Sequence, residues 1–209
     1  MTRNIFIDLD GTLIDPRQRL YALFQELVPA SRLSFDEYWE IKRRRVDQNR
    51  LLGEWFSYDE GQIAIFKEEW FAKVEEHNRM LLDVPFPGVF ELIESLSERH
   101  HLHLVTARQD EALVNTQLQT MGLRDLFEKV LVARQVATKA ELIKKSIVPK
   151  ATDILIGDTG EDILTARDLG VIAVAVCSGS LCREVLSTYQ PDFLMNDITE
   201  IYETGLVSS

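Results

Sequence analysis

The chain has 209 residues with 34 acids against 23 bases, a formal net charge of −11. That length holds one domain with a real core, or one domain carrying a smaller insertion. The acid excess argues against a nucleic-acid surface, which needs a basic stripe to meet phosphates.

The first predicted element is a strand from Asn4 to Leu9 in "NIFIDLDGTLIDP", an apolar run that ends in Asp8 and Asp10 and passes at once into Gly11-Thr12. A turn explains the Asp-Gly pair. It leaves Asp8 unexplained, because an aspartate at the end of a buried strand must be paired, protonated or bound to a metal. Side-chain alternation puts Asp10 on the same side as Asp8 and Leu9 on the other. Two carboxylates held that close repel, and a hard cation with oxygen ligands, such as Mg2+, relieves the repulsion. On this stretch alone a plain turn and a metal site stay equally open.

From Asp15 to Asp83 no strand is predicted and the apolar positions keep helical spacing: Leu20, Leu23, Phe24, Leu27 and Val28 in one stripe, Ile63, Phe66, Trp70 and Val74 in another. Ser34-x-x-Glu37 is a helix start. The basic run "KRRR" (42–45) reads either as a solvated helix face or as a site for an anionic ligand. Arg43, Arg44, Arg45, Arg50 and Trp55 are the candidate contacts there, with Arg43 and Arg50 carried forward as substrate-binding and Trp55 equally suited to a small core. "DVPFPG" (83–88) stiffens the return of the chain. The expected organisation is therefore a core of residues 1–15 and 84–209 with a helical insertion at 16–83.

Further strands are predicted at 102–106, 129–133, 153–157, 171–176 and 192–195, several of them apolar throughout, as parallel strands covered on both faces are. Helical patterns between them, one opened by the capping box Thr138-x-x-Glu141, make an α/β doubly wound sheet. Ligands bind beyond the carboxyl ends of such strands. At those ends stand Asp8 and Asp10; Thr106, Ala107 and Arg108, offering a hydroxyl and backbone N–H groups to a phosphate oxygen; Lys139 in a first helical turn, where a cation opposes the helix dipole; and Asp158 with Asp162 one turn later. Each has an ordinary role taken singly, as cap, surface group or turn residue. Together they gather acids, a hydroxyl and a lysine at one sheet edge. Cys177 and Cys182 have no companion cluster and read as packing residues. No apolar run reaches the length of a membrane span and "NIFI" lacks signal-peptide flanks, so a cytoplasmic protein with no membrane partner is expected.

"DLDGT" (8–12) with Thr106, Lys139 and "GDTGED" (157–162) resembles the signature of the haloacid dehalogenase superfamily, and the resemblance extends over nearly the whole chain, including a helical cap after the first motif and the "PFPG" return. It implies a Rossmann-like three-layer core with a small helical cap domain, Mg2+, and an aspartyl-phosphate intermediate. Carried over, Asp8 is the nucleophile and Asp10 the general acid and then base. Asp8, the Asp10 main-chain carbonyl and Asp158 hold Mg2+ with Asp162 close by, and Thr106 and Lys139 bind the transferring phosphoryl group. Retention of Asp10 favours phosphate ester hydrolysis over dehalogenation. The implied activity is that of a phosphatase of a small phosphorylated metabolite, similar to the phosphoglycolate phosphatase group. A phosphohexose mutase of the same superfamily and a catalytically silent binding relative are the alternatives, with Thr12 leaning towards the phosphatase. Pro16 departs from the serine common among relatives, which bears on the first cap linker and leaves the chemistry untouched. A phosphate-dependent receiver domain, also rich in aspartates at strand ends, is shorter and lacks the helical block.

Overall fold

A computed structural model of the chain describes residues 2–134 and 136–208. Strand β1 (Asn4–Ile7) forms from residues apolar on both sides, and Ile5, Phe6 and Ile7 are all fully buried. A two-residue strand β2 (Ile14–Asp15) leads into the helices α1 (Arg17–Leu27), α2 (Phe35–Arg43), α3 (Gln48–Phe56), α4 (Glu60–Lys73) and α5 (His77–Met80), after which β3 (Val84–Pro85) pairs with β2. The chain continues through α6 (Val89–Ser97), β4 (His101–Thr106), α7 (Glu111–Thr120), a 3-10 turn at Arg124–Leu126 and β5 (Lys129–Val132). It ends in α8 (Lys139–Ser146), β6 (Ile154–Gly157), α9 (Gly160–Leu169), β7 (Ile172–Val176), α10 (Arg183–Ser187), β8 (Phe193–Met195) and a second 3-10 segment, Ile198–Thr204.

Six of these strands make one sheet in the order β5-β4-β1-β6-β7-β8, with every described pairing parallel. From β1 the chain builds outwards through β4 and β5, then crosses back to add β6 on the other side. That makes β1 the switch point of the sheet, where a crevice opens at the strand ends. Alternation sorts the side chains of β1 between two layers. Ile5 and Ile7 pack with Val89, Ile93, Leu96, Val114 and Leu118 of α6 and α7, whereas Phe6 joins Val105, Leu155 and Ala173 against Ile143 of α8 and Ile163 and Ala166 of α9. The predicted α/β class with a parallel sheet and helices on both faces is what the chain adopts.

Residues Pro16–Val84 form a compact unit distinct from the sheet-bearing remainder. Its core is aromatic: Phe24, Tyr38, Trp39 and Phe66 close over Val28, Ile41, Leu51 and Leu52. Tyr38 lies 4.5 Å from Phe24, ring centre to ring centre, and 5.4 Å edge-on from Trp39. The predicted capping box at Ser34 is formed in full, with the Glu37 N–H donating to Ser34 Oγ and the Ser34 N–H donating to Glu37 Oε2. Trp55 does not belong to this core, since it is 54% exposed. A buried ion pair that sequence spacing gave no sign of, Arg19 Nε to Asp83 Oδ1 at 2.8 Å, joins the first helix of the unit to its last residues.

Candidate active site

The sheet edge gathers its functional groups around Asp8. The Asp8 N–H still donates to the Ile156 carbonyl at 2.9 Å, so the residue stays in register with β6 while its side chain leaves the strand. Lys139 follows the helix cap Thr138, whose hydroxyl accepts from the Glu141 N–H, so the cap sets where the first turn of α8 begins. From there its ammonium reaches Asp8 Oδ1 at 2.7 Å and Asp162 Oδ1 at 2.6 Å. Asp162 is held in turn by Thr159, which donates to Oδ2 through its N–H at 3.1 Å and its hydroxyl at 2.6 Å. The cation at a helix start is thus paid for by two buried carboxylates rather than by solvent.

Asp158 is fully buried, and its Oδ2 accepts from the Ser180 N–H at 2.5 Å. Its other oxygen, Oδ1, is buried without a hydrogen-bond partner. Two glycines make room for this carboxylate: a β-carbon at Gly11 would come within 2.3 Å of Asp158 Oδ2, and one at Gly179 within 2.1 Å. Gly11 also has φ +80°, a conformation that only glycine adopts freely. The Ser178 hydroxyl donates to the Gly11 carbonyl at 2.7 Å and ties the loop after β7 to the turn after β1.

Electrostatics follow from burial. Burial pushes the Asp8 carboxyl well above the usual carboxylate range; the Lys139 ammonium pulls it back, and the Asp162 and Asp158 charges add to the rise. Asp158 is pushed up to about 7 by burial first and by Asp162 second, against the hydrogen bonds from Ser180 and the charge of Lys139. For Lys139 burial acts downwards, but the Asp162 and Asp8 carboxylates outweigh it and raise the ammonium above its ordinary range. Three carboxylates meeting one lysine leave negative charge in excess. Oxygens of Asp8, Asp158 and Asp162 lie within 4.8 Å of one another, close enough to share one hard cation. The unpartnered Asp158 Oδ1 and the glycine cradle that aims this carboxylate are features such an ion explains, so the residues fit a divalent metal.

Asp10 stands apart from this cluster. Its carboxylate is paired with Arg108, which is 4% exposed overall, at 2.5 and 2.6 Å. Thr106 is buried at the end of β4, where its Oγ1 accepts the Arg108 N–H at 3.3 Å and keeps its own hydrogen to donate; Ala107 beside it is exposed. Among the predicted residues of the helical unit, Arg50 is exposed and donates to Glu54 at 3.0 Å, Arg44 is likewise exposed and pairs with Glu40 at 2.5 Å, and Arg43 is partly buried at the end of α2. Lys42 is half-buried and donates to Gln48 Oε1 at 3.0 Å. The loop "CSGS" (177–180) was not among the predicted site residues; extending the reading of strand ends to the fifth strand would have found it. Nothing in the sequence pointed to the pairing of Arg108 with Asp10. Cys177 and Cys182 are not joined in a disulfide and both are half-buried, Cys177 against the layer of Phe6 and Val105.

The family model for haloacid dehalogenase-like hydrolases matches residues 5–176, from the first sheet strand to the end of β7. The chain belongs to that family, and its relatives mark it as a hydrolase of the phosphatase type. Similar proteins include a phosphoglycolate phosphatase of Synechococcus elongatus, 29% identical over 95% of each chain. Another is the pyrophosphatase PpaX of Oceanobacillus iheyensis, 24% identical over 95% of this chain and 94% of that one. A haloacid dehalogenase-like family hydrolase from Streptococcus pneumoniae has the same fold, with a TM-score of 0.75 at 22% identity over 98% of both chains.

Proposed function

We propose that the protein is a Mg2+-dependent phosphomonoesterase of a small phosphorylated metabolite, working through a phosphoryl group carried on Asp8. The observation that carries this reading is Asp8 itself: a buried carboxylate at the switch point of the sheet, with one oxygen, Oδ1, on Lys139. Asp8, Asp158 and the main-chain carbonyl of Asp10 would hold Mg2+, which when bound supplies positive charge to the phosphoryl oxygens. Asp162, with one oxygen on Lys139 and the other on Thr159, suits an outer position that orients the lysine.

In this reading Asp8 attacks phosphorus and the leaving oxygen departs with the substrate's remaining portion. Thr106 and Lys139 bind the transferring group: the lysine, already beside the nucleophile, neutralises charge that grows as the bond forms, and the threonine hydroxyl orients a phosphoryl oxygen. Asp10 gives a proton to the leaving alkoxide and afterwards takes one from the water that hydrolyses phospho-Asp8. The helical insertion 16–83 would serve as a mobile cap that excludes water and selects substrate, with Arg43 and Arg50 among its contacts. The named activities of the two relatives, towards phosphoglycolate and pyrophosphate, favour small phosphoryl donors. The test is hydrolysis of p-nitrophenyl phosphate with Mg2+, by the wild type and Asp8→Asn. Activity that needs the metal and disappears in the variant supports the proposal; full turnover by Asp8→Asn, or in excess chelator, removes it.

A further inference from the structure

The parallel pairing of β1 with β4 brings two residues together at the amino edge of the sheet, the edge opposite Asp8. Register aligns Asn4 with His101, so the residues just before them, Arg3 and His100, are neighbours as well. The Arg3 N–H donates to His100 Nδ1 at 3.3 Å, and the His101 N–H donates to the Arg3 carbonyl at 2.9 Å. A ring nitrogen that accepts carries no hydrogen, so in the neutral imidazole the proton sits on Nε2. His100 is 8% exposed, and its Nε2 is buried with no hydrogen-bond partner among the described residues. An unused buried donor costs stability. Arg3 is half-buried, and its guanidinium makes one hydrogen bond among the described residues, from Nη1 to the Thr152 carbonyl at 2.5 Å; no carboxylate there is paired with it. Both residues line a cavity of about 490 Å³ walled in part by residues 205–208. Arg99 lines it too, and donates to the Ser208 carbonyl at 3.3 Å, which ties that segment to the end of α6. The lining thus holds two guanidiniums and an imidazole N–H against one carboxylate, that of exposed Glu98. The field at His100 has the same sign: burial first, then cations that include Arg3, Arg99 and His101, hold its imidazole below the ordinary range.

We propose that this cavity is a second anion site, which takes a phosphate group, free or carried by a small molecule, at the edge of the sheet away from Asp8. The donors come from three places in the chain: ahead of β1, ahead of β4, and just past α6. A tetrahedral phosphate presents oxygens in as many directions, whereas a planar carboxylate presents its two in one plane. Arg3 supplies charge and a guanidinium fork, and His100 its unused N–H. The volume lies within the range of small-molecule sites and exceeds what a bare phosphate fills, which leaves room for an organic portion. A ligand held there joins the starts of β1 and β4 and stabilises the folded chain. No residue gathered around Asp8 takes part, so the inference is independent of the phosphatase reading, and its failure would leave that reading untouched.

The experiment follows the side chains of the four histidines by nitrogen–proton NMR in Mg2+-free buffer, during titration with inorganic phosphate and with glycerol phosphate at fixed ionic strength. His100→Gln assigns the His100 signal. A saturable movement of its Nε2 resonance is expected. The affinity should fall at least about tenfold in Arg3→Gln, the size of one charged hydrogen bond. It should rise roughly threefold in Glu98→Gln, which removes one exposed repelling charge. Tighter binding of the ester assigns the cavity to a phosphorylated small molecule, and tighter binding of inorganic phosphate assigns it to the free ion. Thermal unfolding gives a second readout: phosphate should raise Tm more in the wild type than in Arg3→Gln, because binding near Asp8 contributes alike to both. Should His100→Gln not fold, that difference decides. The inference is overturned if the His100 signal does not move saturably, if chloride reproduces the movement, or if Arg3→Gln binds phosphate as tightly as the wild type.

Discussion

Asp8 and Asp10 are two residues apart and chemically far apart. Asp8 is buried and shares Lys139 with Asp162, whereas Asp10 is partly exposed and locked to Arg108. Roles for the two that differ in chemical demand give a sharp kinetic expectation. In the proposed mechanism, Asn at position 10 keeps the main-chain carbonyl and loses both proton transfers assigned to Asp10, each worth roughly 10²- to 10⁴-fold. With p-nitrophenyl phosphate, whose leaving group departs without a proton, Asp10→Asn should give a burst followed by slow turnover; with an alkyl phosphate even the first step should be slow. Rapid-quench kinetics with both esters decides, and equal slowing of the first step for both would contradict the assignment. The glycine cradle makes a second expectation. In Gly179→Ala the new methyl would overlap Asp158 Oδ2, so the carboxylate has to turn away. Metal affinity should then fall about 10- to 100-fold, as it does when groups supporting a ligand are lost. Titration of Mg2+-dependent activity and of thermal stability measures it, and an unchanged metal requirement would contradict the cradle.

At the scale of elements, what could be read from the chain depended on whether the signal was local. The strand runs and the capping boxes at Ser34 and Thr138 follow from short-range pattern, and both boxes form. Asp8, Asp158 and Lys139 could be brought together from sequence only because parallel strands put their carboxyl ends on one edge. The Arg108–Asp10 and Arg19–Asp83 pairs join residues 98 and 64 positions apart, and no periodicity announces a partner at that distance. Trp55, open between a substrate contact and a core place, is decided by its helix: α3 turns Leu51 and Leu52 inwards and leaves it outside. Two element-level outcomes are expected. Thr138→Ala removes a cap whose helix carries Lys139, and should cost about 1 kcal/mol of stability in a denaturant titration. Lys139→Ala leaves two buried carboxylates without their cation and should cost several-fold more, about 3–5 kcal/mol, part of it regained on adding Mg2+. A Lys139→Ala protein as stable as Thr138→Ala would mean that the buried charges are already compensated by other means.

The molecule as a whole should lose stability in mild acid for a reason remote from the site. His103, buried in β4, donates its Nε2–H to Asn4 Oδ1 at 3.0 Å and stacks on Phe6 at 5.4 Å. Burial above all, with help from Lys129 and His101 and against Glu128 and Asp153, lowers its imidazole from the ordinary 6.5 to about 4. The unfolded chain therefore takes up a proton below pH 6.5 that the folded protein refuses until about pH 4. The contribution of His103 is complete above pH 6.5 and drains away as pH falls through that window. Subtracting the stability–pH curve of His103→Gln from that of the wild type isolates it; a difference flat between pH 4 and 6.5 would contradict the burial argument. The whole-molecule claim that matters most is still chemical: that the sheet edge exists to carry a phosphoryl group on Asp8. The direct measurement is mass spectrometry of acid-quenched Asp10→Asn protein after mixing with p-nitrophenyl phosphate and Mg2+. The account predicts a phosphoryl-sized mass increase that maps to the peptide containing Asp8 and is absent from an Asp8→Asn control, whereas a burst of product with no modified protein, or with the label on another residue, would contradict it.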